Sequence, residues 1–405
     1  MLPKYFSHNN VVLVFDLGGT YFRSGVYMHP KGVLNVHQQS ALSFYGASDM
    51  TVADLKKGLL KYLVNTARSY KENMRANCVS ISLGAALDGR CGTVYGSGPL
   101  WGHDNSPFEL LTQLHQSASE FEWHIVNDVT AGLLHYAKHA ANLDIRKILL
   151  LTVSSGIACR VLDVRNQHIA LDEFGLQGEI GHSPVTLCFR GQMLELDCDC
   201  GEHNHVAAFS SGRGMCRLSK LLAKRQPLLW KKSRLAVLCA EGEGYESALC
   251  RALDENDAFS VNLLYLATKP IADILRNALA IDPELDRIVL TGGVAVNLAD
   301  HYREMLMRHF SEQGLYLSSN FDSELFNRRI FIAKSDEVNN LEGAALYAIN
   351  QMQQKVLSVQ NKRQDVYAYQ HKLVQPNVNL DSGKYAISFL MTSMYNITRS
   401  GGYYA

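Results

Sequence analysis

The chain has 405 residues, 47% of them hydrophobic and 19% charged, and its 39 basic and 39 acidic residues cancel to a net charge of zero. A chain of that length and composition builds real cores and favours two domains. The neutral balance excludes a general attraction to nucleic acid or to anionic membranes, and no apolar run reaches the length of a membrane span.

The first ten residues lack the basic-then-apolar pattern of a secretory leader. Nine cysteines are scattered along the chain, with only Cys198 and Cys200 close together. Reduced thiols in a cytoplasmic protein with one local metal site is the simplest reading.

Val11–Phe15 is an apolar strand that ends in Asp16-Leu17-Gly18-Gly19-Thr20, and Ser24–Met28 returns as a hairpin partner. Leu55, Leu59, Leu60, Leu63 and Ala67 give Val52–Tyr70 a helical period. Val79–Leu83 reads as a strand, Phe108–Ala118 as a helix, and Trp123–Val126 as a strand entering Asn127-Asp128, with a helix over Val129–Ala140. The pattern then restarts. Lys147–Val153 ends in Ser154-Ser155-Gly156, and Ala158–Val164 pairs back on it. A loop-rich stretch spans Asp172–Gly214, helices dominate Met215–Ala280, and the strand Arg287–Thr291 ends in Gly292-Gly293. A last helix is expected over Val338–Gln353, and the tail beyond it carries no assigned chemistry.

Strands alternating with helices in both halves predict two α/β domains facing one cleft. The expected division is 1–130, 131–337 with a loop insertion, a helix over 338–353 that packs back on the first half, and an extension over 354–405.

The turns at the strand ends carry the chemistry. Gly18 and Gly19 let backbone N–H groups approach a nucleotide phosphate, Thr20 adds a hydroxyl, and Asp16 suits Mg²⁺ through water. Alone, the same turn is an ordinary hairpin. Asp128 sits at a strand-to-helix switch, where a carboxylate could take a proton from an attacking hydroxyl; capping the following helix is the competing role. Ser155 and Gly156 could bind terminal phosphates, and Gly292-Gly293 lets backbone pass close to a flat ligand such as adenine. Farther along, His182, Cys198, Cys200 and His205 offer the four nitrogen and sulfur ligands of tetrahedral zinc, with His203 as an alternative fourth.

These motifs together resemble the ROK family of sugar kinases and repressors, within the actin-like (ribonuclease H-like) superfamily. The likeness spans Val11 to Ile349. It lies in the D-x-G-G-T turn at Asp16–Thr20, the N-D pair at Asn127-Asp128, E-x-G-H at Glu179–His182, and the late G-G at Gly292-Gly293. Gly84–Gly89 resembles a further family loop. The resemblance implies ATP-dependent phosphorylation of a hydroxyl on a hexose, aminosugar or cyclitol, with Mg²⁺, structural Zn²⁺, and assembly as a homodimer or homotetramer. It implies that Asp128 is the catalytic base and that Asn127, Glu179 and His182 position the other hydroxyls. His103 stands in a loop where relatives carry a sugar-reading asparagine, with Asp104 and Asn105 as further stand-ins.

Three departures are visible. The second phosphate turn reads Ser154–Cys159 where the family has G-T-G-x-G-G. The zinc motif has Asn204, His205 and Ala207 where the family has glycine, cysteine and glutamate. A longer interval before Cys198 suggests an inserted loop near Arg190. The repressors of the family place a helix-turn-helix ahead of the sugar domain; here the phosphate turn follows only fifteen residues, so a kinase is expected. A weak or inactive sugar sensor is the alternative.

Overall fold

The computed structural model describes residues 11–355, apart from 45, 47, 48, 74, 75, 142 and 335. The apolar stretch of the tail, Tyr385–Tyr395, lies outside them.

Two five-stranded sheets organise the compact unit Met1–Met352. The first runs in the order Gly32–Ser40, Tyr21–Met28, Val11–Leu17, Cys78–Leu83, Glu122–Asn127. Its first three strands form an antiparallel meander, and the others add in parallel. The second sheet repeats the plan in the order His168–Ile169, Ile157–Asp163, Lys147–Val153, Leu285–Thr291, Ile330–Ile332. There too a hairpin opens the unit and parallel strands complete it.

The central strand Val11–Leu17 is buried from Val12 onward, as its unbroken apolar run requires for a strand covered on both faces. Its neighbour Tyr21–Met28 begins with Tyr21 and Arg23 exposed and Phe22 and Ser24 buried, the period of a half-covered strand. In the helix Val52–Asn73, Leu55, Leu59, Leu63 and Ala67 fall on one face and are buried. Thr51 and Asp54 satisfy each other's backbone at its start: Asp54 N–H donates to Thr51 Oγ1 at 3.2 Å, and Thr51 N–H donates to Asp54 Oδ2 at 3.3 Å.

The helix Asp128–His139 joins the halves and packs against strands of both sheets. Residue 130, the expected boundary, lies inside it. Residues 340–355 form the last helix. Leu341, Ala345, Ala348 and Ile349 cover Val12, Val14 and Tyr27 of the first sheet, and Ser80 Oγ donates to the Ala344 carbonyl at 2.7 Å.

Three local expectations change. Phe108–Glu109 pairs with the Thr93–Gly96 strand, so the helix begins at Leu110. The insertion near Arg190 is a hairpin, Leu187–Phe189 with Gln192–Leu194, turned through Arg190 (φ 52°) and Gly191 (φ 75°). Two successive positive φ values match the twist of the flanking strands. The strand Gly32–Ser40 and the helix Gly293–Glu312 were not foreseen; the strand's last six residues are exposed, so no apolar alternation marks it.

Candidate active site

Asp16, Ser82 and Asn127 stand near the carboxyl ends of three parallel strands, with Asp16 opposite Ser82 and Leu83 opposite Asn127. That edge is where open α/β sheets place ligands. Asp16 is buried. Its Oδ1 accepts from Ser82 Oγ at 3.1 Å and from Asn340 Nδ2 at 3.3 Å, while Arg23 lies 3.7 Å from Oδ2. Burial holds its carboxyl above the ordinary range, opposed first by Arg23. A bound divalent cation would reverse that balance. The turn beyond is closed by Gly18 N–H donating to the Tyr21 carbonyl at 3.1 Å. Gly19 packs so closely that a Cβ there would lie 2.3 Å from Pro99 Cβ. The phosphate turn is thereby pressed against the Ser97–Trp101 segment.

At the third strand end, Asn127 is the helix cap, not Asp128. Its Oδ1 accepts from the N–H groups of Val129 at 3.0 Å and Thr130 at 3.3 Å, and its Nδ2 donates to the Ala85 carbonyl at 3.0 Å. The Asn127 amide, expected on substrate, is thus engaged within the fold. Asp128 is partly buried and, among the described residues, accepts one hydrogen bond, from Val129 N–H to Oδ1 at 2.9 Å. Its other oxygen, Oδ2, faces Gly84, where a Cβ would come within 3.3 Å. Burial pushes Asp128 up to about 7, and the negative charges of Asp16 and Glu179 add to the rise.

The second sheet supplies an opposing set of turns. Ser154 N–H donates to the Gly156 carbonyl at 2.9 Å and the Ser154 carbonyl accepts from Gly212 N–H at 2.9 Å, leaving Ser155 exposed at the tip. Nothing lies within 4 Å of a Cβ built on Gly156. The turn is therefore open to a ligand despite Ala158 and Cys159 where the family has glycines. Gly292 has φ +90°, and a Cβ there would meet the Val153 carbonyl at 2.6 Å. Beside it, Gly293 helps to line a narrow cleft with Gly212, Met215, Tyr245, Glu246, Leu249, Val294, Asn297 and Leu298. Its walls are mostly apolar, with Asn297 and Glu246 as the polar groups.

Glu179 is partly buried, and Arg160 Nη2 lies 3.5 Å from its Oε1. Burial raises its carboxyl, and Arg160 is the first influence opposing that rise. His103 is exposed, with its Nδ1 3.9 Å from the Cβ position of Gly201 in the cysteine loop. Asp104 is engaged by Lys56 at 3.2 Å and by Ser106 N–H at 2.7 Å, so His103 is the more open of these two stand-ins.

The ligand atoms of His182, Cys198, Cys200 and His205 all lie within 4.8 Å of one another. Cys198 Sγ is 3.9 Å from His182 Nδ1, and Cys200 Sγ is 3.3 Å from His205 Nδ1. Ordinary zinc–sulfur and zinc–nitrogen bonds set a tetrahedral edge of about 3.6 Å, so the donor set fits the metal. Burial foremost pushes the Cys198 thiol up to about 11 and holds both histidines below their ordinary range. Neutral imidazoles are metal-ready, and a cation would remove the cost of ionising the thiols. His203 instead meets Asp197 at 2.7 Å, so the fourth donor is His205.

Four residues escaped the sequence reading: Ser82, Asn340, Arg23 and Arg160. Only Arg160 carried a signal, as a charge inside the apolar run Ile157–Leu162. The others are positioned by pairing between distant segments.

Two mixed sheets that each open with a hairpin and continue with parallel strands, with acids near the strand ends of the first, match an actin-like fold. The chain belongs to the ROK family, whose model matches residues 12–351. It is 41% identical over 338 residues to the 2-epi-5-epi-valiolone 7-kinase of Actinoplanes sp., covering 84% of this chain and 92% of that protein. It is 27% identical over 314 residues to the C(7)-cyclitol 7-kinase of Streptomyces hygroscopicus subsp. jinggangensis, covering 73% and 82%. Among solved structures, the ROK family glucokinase of Streptomyces griseus, bound to glucose and AMPPNP, aligns with a TM-score of 0.61 at 17% identity, over 83% of this chain and 98% of that one. A ROK family transcriptional regulator homologous to the E. coli MLC protein aligns at 0.64 and 15%, over 84% and 78%. At those identities the two structures bear on the fold alone. No helix among the described residues is long and apolar enough to cross a membrane.

Proposed function

We propose that this protein is an ATP-dependent kinase that phosphorylates the 7-hydroxyl of a C7 cyclitol, with Asp128 as the general base. The observation that carries the mechanism is Asp128 itself: a carboxylate that accepts one hydrogen bond among the described residues and is pushed up to about 7 by burial and then by the charges of Asp16 and Glu179. A base of that strength is half ionised near neutral pH and accepts a proton readily as an alcohol attacks phosphorus. The choice of a cyclitol over a hexose or aminosugar is supported by the names of the relatives at 41% and 27% identity.

The halves 1–130 and 131–337 serve as the two walls of the cleft. Asp16 would hold the Mg²⁺ of Mg-ATP, and Gly18, Gly19 and Thr20 would meet the ATP phosphates on one side, with Ser155 and Gly156 on the other. The base lies in the cleft beside Gly293, Tyr245 and Asn297. Glu179, His182 and His103 bind hydroxyls of the acceptor. Zinc, when bound, holds the loop that carries His182; Nδ1 faces the cysteines, which leaves Nε2 for the substrate. Positioning an acceptor oxygen in line with the γ-phosphorus supplies most of the acceleration.

The test is phosphoryl transfer from ATP to 2-epi-5-epi-valiolone, glucose and N-acetylmannosamine, followed by ³¹P NMR of the product. A primary product on the cyclitol is expected. Turnover confined to a hexose would overturn the substrate assignment. Asp128→Asn should lower kcat by about 10²–10⁴-fold with the fold retained; near-normal turnover would remove Asp128 from its role.

A further inference from the structure

The mechanism above leaves a buried arginine unused. Arg160 sits in the Ile157–Asp163 strand with 2% of its surface exposed. A guanidinium does not enter an apolar strand without partners, because an unpaired buried charge is strongly disfavoured. Its Nη1 donates to the Cys159 carbonyl at 2.9 Å and to the Gln177 carbonyl, and its Nη2 lies 3.5 Å from Glu179 Oε1. Its Nε has no hydrogen-bond partner among the described residues.

The backbone is shaped around this group. Gly178 has φ +87°, and a Cβ there would lie 2.9 Å from Arg160 Nη1 and 2.0 Å from the Cys159 carbonyl oxygen. The segment Gln177–Glu179 thus wraps the guanidinium and delivers Glu179 beside it. Among the described residues, no hydrogen bond occupies Glu179 Oε2. The charge arrangement agrees: Arg160 is the first influence opposing the burial of Glu179, and it also acts on Asp128 against the repulsion of Asp16 and Glu179.

We propose that Arg160 is a positioning residue for the acceptor: it holds Glu179 by Oε1 so that Oε2 receives hydroxyl groups of the polyol ring. This rests on the kinase reading and adds to it the group that aims the acceptor-binding carboxylate. Nη1, anchored on two backbone carbonyls, fixes the guanidinium so that its single Nη2 contact holds Oε1 in place, an anchoring a lysine reproduces only in part.

The test compares Arg160→Met, Arg160→Lys, Glu179→Gln and the Met/Gln double variant, varying ATP and 2-epi-5-epi-valiolone separately. Arg160→Met is expected to raise the acceptor KM by about tenfold or more while the ATP KM moves less than about twofold. Arg160→Lys should recover part of the loss. In the Glu179→Gln background, Arg160→Met should add nothing further, since its role runs through that carboxylate. Parallel rises in both KM values, or losses that multiply in the double variant, would overturn the proposal. If Arg160→Met fails to fold, the same split measured in Arg160→Lys decides. A wild type that transfers no phosphate strikes the kinase reading instead; calorimetric binding of the cyclitol to wild type and Arg160→Lys then tests Arg160 by itself.

Discussion

Asp128 ties activity and stability together with opposite signs. The base must be ionised, so kcat is expected to fall about tenfold per pH unit below about 7. A pH–rate profile at saturating substrate measures this, and a limb near 4 would contradict it. The same shift has a cost in the folded state. Because the folded carboxyl holds its proton to a higher pH than the unfolded one, the native state binds more protons between about 4 and 7. Stability contributed by this group is therefore lost as pH rises through that window. Asp128→Asn should melt at a higher temperature than wild type at pH 8, with the gap closing at pH 4. Equal melting temperatures at both pH values would place Asp128 in a solvated environment. The neighbouring Asn127 explains how the arrangement is built: by taking over the helix cap, it shares the Val129 N–H with Asp128 and takes the Thr130 N–H, so Asp128 keeps little hydrogen bonding to lower it.

At the scale of elements, the glycine turns divide into those beside open space and those that let strands approach each other. Gly156 has open space where a Cβ would go, whereas Gly292 is pressed on the Val153 carbonyl in a conformation reserved for glycine. Gly292→Ala should therefore cost about 1–3 kcal/mol of stability, measured by urea denaturation, whereas Gly156→Ala should leave stability nearly unchanged and act on the ATP KM. A Gly292→Ala variant as stable as wild type would refute the packing argument. These turns were legible because a strand ending in Asp-x-Gly-Gly-Thr or in Gly-Gly is a local pattern. The central strands and the helix Val52–Asn73 were legible for the same reason, since burial writes its period into the residues. The strand Gly32–Ser40 was not, because it is an edge strand whose mostly polar residues face solvent and pair only through backbone.

For the whole molecule, the zinc cluster offers the cleanest test of how distant segments cooperate. His182 and His205 flank the inserted hairpin, and the two cysteines lie between them. Metal analysis of the purified protein should find about one zinc ion per chain. Removal with a chelator should lower the melting temperature and, if His182 binds the acceptor as proposed, raise the acceptor KM more than the ATP KM. A metal-free protein with full activity would leave the cluster without that role.

The sequence by itself determined the α/β class, the repeated hairpin openings, the acids and glycines at the strand ends, and the histidines and cysteines from which the His–Cys cluster is drawn. Each of these is a local composition of residues whose physics acts within a few positions. Only the tertiary structure decided that Asn127 rather than Asp128 caps its helix, that His205 rather than His203 joins the cysteines, and that Arg160 lies beneath Glu179. It also brought Asn340 to Asp16 from the other end of the unit. Those outcomes depend on which segments meet across the fold, and the field at Asp128 is the sum of charges that no stretch of sequence places side by side.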